Sequence, residues 1–286
     1  MLEQDIRLEL AQAEADIREA KRQRKQNFLV TAQAVGIETL KRGSLKTDVL
    51  KLYYNGVYGY IPKNLMDDYE FKSLQSFTGG EYTFFVDDVF EENGELVFLA
   101  NRKDALAYQA EQFWKKAKVG QHYQAFVSGV DRFNVWLLIN GVRVQMNRVE
   151  YSYKFTKDLQ LEIFIGDVFE VQITEIDAEN KKVEVSRKIL EADPRIYLKD
   201  YKVSSTYVAT VENIDVERGV FVTLMPKGVV AKAGFPPLQT GRLLKEGAKV
   251  NFKITWIDEE KGLVGGLIII PRVGQINKAL GQNNGR

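Results

Sequence analysis

Very little in this chain could make or break covalent bonds. There is no cysteine and a single histidine, His122. That excludes disulfides, thiolate-held zinc, iron–sulfur clusters, a thiol nucleophile and any multi-histidine metal site. Imidazole catalysis would rest on one residue at the start of a strand-like segment. Adjacent carboxylates occur at Asp67-Asp68, Asp87-Asp88, Glu91-Glu92 and Glu259-Glu260, the kind of pair that binds Mg²⁺ in a nuclease. Two of these pairs fall at hairpin turns and one in a long loop, where solvated charge is the plainer reading. No phosphate-binding GxxxxGK with Ser or Thr after it, no GxGxxG behind a strand and no GxSxG is present. The residues therefore predict no catalytic centre, no cofactor and no metal. What remains is binding.

Composition narrows the kind of binding. The chain has 286 residues, enough for two or three domains at about 100–150 residues each. Its 45% hydrophobic and 28% charged residues are ordinary for a folded protein and too apolar for a disordered one. Forty bases against 39 acids leave a net charge of +1, so no overall basic field announces nucleic acid. The longest apolar run, Leu263–Pro271, falls short of the ~20 residues a bilayer needs. The first residues carry Glu3 and Asp5 and no apolar signal core. A soluble, cytoplasmic chain with no membrane partner is expected.

The near-zero total conceals a gradient. Residues 1–27 balance six bases against six acids, 28–112 hold eight against thirteen, 113–195 thirteen against twelve, and 196–286 thirteen against eight. With screening over about 8–10 Å these are separate local fields; the acidic one repels phosphate and the basic one attracts it.

Leu2, Ile6, Leu10, Ala13, Ile17 and Ala20 recur at helical spacing and line one face of a helix over 1–27. Most of the acids precede Ile17 and most of the bases follow it, which complements the helix dipole. The helix either packs on the domain behind it or serves a partner as a docking helix or short coiled coil. The basic run Lys21–Lys25 reads as a solvated helix end.

Internal repetition is the strongest signal. Tyr123-x-Ala125-x-Val127-x-x-Val130-Asp131 recurs as Tyr207-x-Ala209-x-Val211-x-x-Ile214-Asp215, and more weakly as Val30-x-Ala32-x-Ala34-x-x-Ile37-Glu38. Each alternates with period two, as a strand does. A second strand and a tight turn follow each time: Asn55-Gly56, Asn140-Gly141, Lys227-Gly228. Later a glycine opens a new strand (Gly80, Gly166, Gly247), which ends in an acidic turn and a last strand. The fold class expected is all-β: three tandem five-stranded barrels of the oligonucleotide-binding (OB) type, with an N-terminal α-helix and short helical linkers. The domains expected are 1–27, a helix; 28–112, an acidic, divergent barrel; 113–195, a second barrel; 196–272, a basic third barrel; and 273–286, a flexible tail. Linkers fall at 104–118, read as helix, and at 189–202, broken by Pro194.

The second and third units resemble the S-one RNA-binding domain, the OB repeat of the large bacterial small-subunit ribosomal protein. The likeness runs over about residues 28–272 and is strongest from Gly120 to Lys188; in the first unit it rests on Gly59-Tyr60-Ile61-Pro62 and Asn101-Arg102-Lys103. The resemblance implies a face of two aromatics, a strand-three His, a turn Asp and a following Arg, on which unpaired bases stack beside cations. The corresponding residues of the second unit are Phe133, Trp136, Gln145, Asp177 and Lys182. Alternation sets Trp136 opposite Val135 and Leu137; the competing reading makes Trp136 core and Phe133 an ordinary surface aromatic. The third unit holds Arg218, Phe221, Ala231, Asp258 and Leu263 at these positions. Its apolar strand from Leu263 to Ile270 suggests burial against another element. In the first unit Val49 takes an aromatic position and Pro62 that of the His, while Tyr53, Tyr54, Tyr58 and Tyr60 either serve a protein interface or merely cover the barrel.

The RNA-binding residues expected are thus Phe133, Trp136, Gln145, Asp177, Lys182, Arg218, Phe221 and Asp258. The function expected is non-catalytic binding of single-stranded RNA in translation, with the small ribosomal subunit or another protein docking on residues 1–112. Two alternatives stay open: an accessory factor in transcription or RNA turnover, and a protein-docking module whose barrels have lost RNA.

Overall fold

A computed structural model describes residues 2–42, 45–69, 71, 73–235 and 244–269. The tail expected at 273–286 lies outside them. Two compact units emerge: Met1–Asn147 with Asp158–Ser186, and Arg148–Lys157 with Arg187–Arg286.

The first unit begins with helix α1 (Leu2–Arg22). Its second half buries Ala13, Ile17 and Ala20 in the core of the first barrel, while Ile6, Leu8 and Leu10 stay exposed. The helix therefore packs on its own barrel through its second half, with Leu10 at the Gly56 turn. Its basic end is not simply solvated: Lys21 binds Asp88, and Arg24 reaches Asp87 at 2.8 Å and Asp104 at 2.7 Å. The Asp87-Asp88 pair is thus a clamp for the helix.

Strands β1 (Val30–Arg42), β2 (Leu45–Tyr54), β3 (Val57–Pro62), β4 (Glu81–Glu92) and β5 (Glu95–Asn101) close into a barrel in the order β1-β2-β3-β5-β4. Alternation puts Leu50, Leu52 and Ile61 inside. Phe84 and Phe98 stack at 5.5 Å in the core. Gly59 makes room for them, since a Cβ there would lie 2.2 Å from the Phe98 ring.

Helix α2 (Arg102–Lys116) follows. The Asn101 side chain caps it by accepting the Asp104 N–H at 3.0 Å. Strands β6 (His122–Val130), β7 (Asn134–Ile139), β8 (Val142–Asn147), β9 (Val168–Asp177) and β10 (Lys182–Ser186) form the second five-stranded sheet, ordered β10-β9-β6-β7-β8. Here β8 and β10 lie alongside each other without a ladder, so this barrel is nearly closed where the others are closed. Its Asn140-Gly141 turn abuts α2: Gly141 has φ +79, and a Cβ there would lie 2.0 Å from the Leu106 carbonyl oxygen. Only glycine meets both demands.

The second unit contains β11 (Thr206–Asp215), β12 (Gly219–Leu224), β13 (Val229–Ala233), β14 (Lys249–Asp258) and β15 (Leu263–Ile269), closed in the order β11-β12-β13-β15-β14. Before it, 189–202 winds into short 3-10 turns, one starting at Pro194 behind an Asp193 cap. The expectation that β15 is buried on both sides fails. Val264 points into the core, whereas Leu263, Leu267 and Ile269 remain exposed on the outside. No helix among the described residues is long and apolar enough to cross a membrane.

Candidate nucleic-acid interface

The three barrels share a landmark that places the candidate residues. The first strand of each carries a bulge, between Ala34 and Gly36, Val127 and Gly129, and Val211 and Asn213. A bulge shifts the inside–outside parity by one residue. The residue past it pairs with an outward position on the second strand, and the row continues onto the third: Gly36–Lys51–Tyr60, Gly129–Trp136–Gln145, and Asn213–Phe221–Lys232.

In the middle barrel this row agrees with the sequence reading. Val135 and Leu137 are fully buried, while Trp136 keeps 39% of its surface exposed. Gly129 lies across from it with no side chain in the way, and Gln145 is registered beside it. Phe133, 46% exposed, stands in the β6–β7 turn. There Asp131 accepts the N–H groups of Phe133 and Asn134, each at 2.7 Å, which hold its carboxyl below the usual range. The Arg132 guanidinium lies 5.3 Å from the Phe133 ring centre. Asp177 and Lys182 are register partners at the β9–β10 turn. The Asp177 carboxylate is bound into that turn, accepting from the Asn180 side chain at 2.6 Å and from the N–H groups of Asn180 and Glu179. Those bonds, the Asn180 side chain's first, lower its pKa. Beyond Gln145 the surface turns acidic, with Glu184 and Glu175 paired and exposed.

In the third barrel Arg218 is exposed and Phe221 half-buried. Asp258 accepts the Lys261 N–H at 2.9 Å, a turn bond like that of Asp177. The position across from Phe221 is Lys232, not Ala231, which faces the core. Counted from the turn glycine, Lys232 stands fourth after Gly228 as Gln145 stands fourth after Gly141, so the register moves the alignment by one residue. Sequence reasoning also missed Trp256. Strict alternation after Val250, Phe252 and Ile254 assigns it to the core, yet a bulge between Ile254 and Trp256 turns it outward, 48% exposed.

In the first barrel the outward row is Lys51–Tyr60, not Val49–Pro62; Val49 is buried against Tyr60 and Val97. Lys51 bonds Glu38 at 2.7 Å and sits 4.5 Å from the Tyr58 ring centre. The Tyr60 hydroxyl donates to Glu38 at 3.1 Å. The Lys51 hydrogen bond holds Glu38 below its ordinary pKa, and burial pushes the Tyr60 phenol up. The place where a base would stack is occupied by the barrel's own ion pair. Of the four tyrosines, only Tyr53 and Tyr58 face solvent; Tyr54 bonds Asp16 of α1.

The Asp67-Asp68 pair is also spoken for. Asp67 is buried between Arg102, at 3.0 Å, and Arg143, which also meets Asp68 at 2.6 Å.

No protein-family model matches the chain. Among curated proteins it is similar to small ribosomal subunit protein bS1 of Leuconostoc lactis, 24% identical over 222 residues, 74% of this chain and 50% of that one. It is similar also to bS1 of Pseudomonas aeruginosa, 20% over 262 residues, 87% and 46%. A 4-hydroxy-3-methylbut-2-enyl diphosphate reductase of Clostridium acetobutylicum matches at 23% over 257 residues, 85% and 40%. The chain spans half or less of the length of these relatives. The solution structure of GSP13 from Bacillus subtilis is 24% identical over 32% of this chain and 75% of that one, at a TM-score of 0.24, too low to add to the strand order itself. The strand order is that of OB barrels in tandem, and the sequence is similar to bS1.

Proposed function

We propose that this protein binds single-stranded RNA through the outer face of its middle barrel, catalyses no reaction, and acts in translation at the small ribosomal subunit in the cytoplasm. The supporting observation is Trp136: an indole held outward between buried neighbours, over a glycine, beside Gln145. An exposed ring with a hydrogen-bonding amide next to it suits an unpaired base. The recurrence of bS1 among the relatives supports the same reading. Domain limits at 28–112, 113–195 and 196–272 make each barrel one binding unit, and linked weak sites gain from effective concentration. Roles in transcription or RNA turnover would use the same face.

The first barrel favours a second role, protein docking. Its stacking row is filled by Lys51, Glu38 and Tyr60, its segment is the acidic one, and α1 leaves Ile6 and Leu8 exposed.

The test is the affinity of the full chain for a short oligouridylate, with Phe133→Ala and Trp136→Ala beside it. Each substitution should cost about 1–3 kcal/mol, and affinity should fall with salt at a slope near −0.7 per phosphate contact. Unchanged affinity in both variants rejects the site. A flat salt response points instead to apolar docking.

A further inference from the structure

The third barrel's outward row does not stop at Lys232. Lys232 pairs with Gly265 on β15, and Gly265 pairs with Trp256 on β14. One register line thus crosses all five strands as Asn213–Phe221–Lys232–Gly265–Trp256. The corresponding lines end in Asp88 in the first barrel and Glu175 in the second; this one holds no acid.

Gly265 explains how the indole lies. A Cβ at Gly265 would fall 2.1 Å from Trp256 Cε2, 2.3 Å from Nε1 and 2.4 Å from Cζ2. Cε2 is the ring-fusion atom, set back from the edge that Nε1 and Cζ2 form. Because it is the nearest of the three, the ring meets the sheet with its face. One face rests on the β15 backbone, and the other contributes to the 48% of the residue that solvent reaches. Burying that ring inside the barrel would have required only the loss of the bulge; resting it on a glycine instead makes a flat apolar plate.

The charges on the plate's own row and on β14 before it are positive, and the acid at the end of that strand, Asp258, accepts the Lys261 N–H of its own turn at 2.9 Å. Lys232 is the next residue on the line, and Lys253 is exposed on β14 opposite Leu267. The nearby carboxylate of Asp215 is engaged by the N–H groups of Glu217 and Arg218. At about 4.8 Å between strands, Lys232 stands one spacing from Gly265 and Phe221 two. A ring, a cation and a second ring in line suit two stacked bases with a phosphate between them.

We propose that Trp256, laid on Gly265, is a stacking site for an unpaired nucleobase of single-stranded RNA, with Lys232 and Lys253 receiving the flanking phosphates. The proposal rests on the reading that the chain binds RNA, and adds a site on β14–β15 that the middle barrel does not contain.

The chain has three tryptophans, Trp114, Trp136 and Trp256, so the sites can be read separately. Full-length protein is labelled with 5-fluorotryptophan, its ¹⁹F signals are assigned with Trp→Phe variants, and it is titrated with oligouridylate and with duplex RNA. The Trp256 signal should move with the single strand and not with the duplex. Trp256→Ala should weaken binding about 5- to 150-fold, Trp256→Phe should retain much of it, and Gly265→Ala, which pushes the ring off the sheet, should weaken it with the indole still present. A stationary Trp256 signal while Trp136 responds overturns this site and leaves the middle-barrel reading intact. If neither responds, both fall. Equal response to duplex, or a Trp256→Ala chain of unchanged affinity, also overturns it, the latter pointing to a protein as the occupant of the plate.

Discussion

Replacing Asp67 should do more damage than its position in a surface loop suggests. Its carboxylate is 3.0 Å from Nη1 of Arg102, and both side chains are almost fully buried. Arg102 also donates to the Met66 carbonyl at 2.9 Å and lies 5.1 Å from the Tyr82 ring centre. On its other oxygen Asp67 accepts from Arg143 of β8. Asp67→Ala would strand a guanidinium where water does not reach, and losing one partner of a buried pair costs about 3–5 kcal/mol. Arg143 is 40% exposed, so Arg143→Ala should cost only about 0–1 kcal/mol after solvent screening. At roughly 2–4 °C per kcal/mol for a unit of this size, the melting temperature should fall by about 6–20 °C for Asp67→Ala and by at most about 4 °C for Arg143→Ala. Scanning calorimetry of the full chain reads both. A double change, Asp67→Asn with Arg102→Met, should recover much of the loss, because no charge is then stranded. Equal losses in the two alanine variants, or a double variant no better than Asp67→Ala, would refute the reasoning.

Three further outcomes follow from the same coordinates. Burial pushes the Tyr82 phenol up to about 12 from its unfolded value near 10; between those values the unfolded chain alone gives up the proton, so stability falls as pH rises through the window. Tyr82→Phe should flatten that part of the pH–stability curve, and parallel curves for the two proteins would sink the assignment. Removing residues 1–9 should leave the first barrel's melting temperature unchanged and weaken co-sedimentation with ribosomes, whereas Ile17→Ala should cost about 2–5 kcal/mol; a barrel destabilised by the truncation argues against the division of α1. Bonds from Asn180 hold the Asp177 carboxyl low, so its contribution is present above its unfolded value near 4 and lost as pH falls through the folded one. Asp177→Ala should therefore lower stability at neutral pH and spare oligouridylate affinity, and the opposite pattern would return Asp177 to the binding face.

The strand count, the Asn-Gly turns and the outward Trp136 were legible because each depends on residues close in sequence. Period-two alternation needs only neighbours, and positive φ at Asn140 and Gly141 needs only those two types. What was not legible depends on one inserted residue. The bulge that exposes Trp256 leaves no mark in composition, and the alternation Val250, Phe252, Ile254 points the wrong way. Val49 and Pro62 lie two residues along the strands from Lys51 and Tyr60 and on the same face, so alternation alone does not choose between the two rows. The acidic pairs were ambiguous for another reason. Lys21, Arg24, Arg102 and Arg143 are distant in the chain from Asp67, Asp87 and Asp88, and only tertiary structure brings them together.

Several residues that carry the family likeness hold turns and a helix end. Asp131, Asp177, Asp215 and Asp258 each bind N–H groups of the turn that follows them. Asn101 caps α2, and Arg102 is buried behind it. The second and third barrels share this demand on the turns, while in the first the place of Asp131 and Asp215 is taken by Glu38, which bonds Lys51 and Tyr60. The outward row past the first-strand bulge is under no such demand. Changing it alters neither the core nor the turns, so one fold can present an internal ion pair at Lys51–Glu38, an indole beside an amide at Trp136–Gln145, and a ring on a glycine at Trp256–Gly265. The turns that make these barrels alike therefore say little about what each one binds, and the three outward rows, which differ most, say the most.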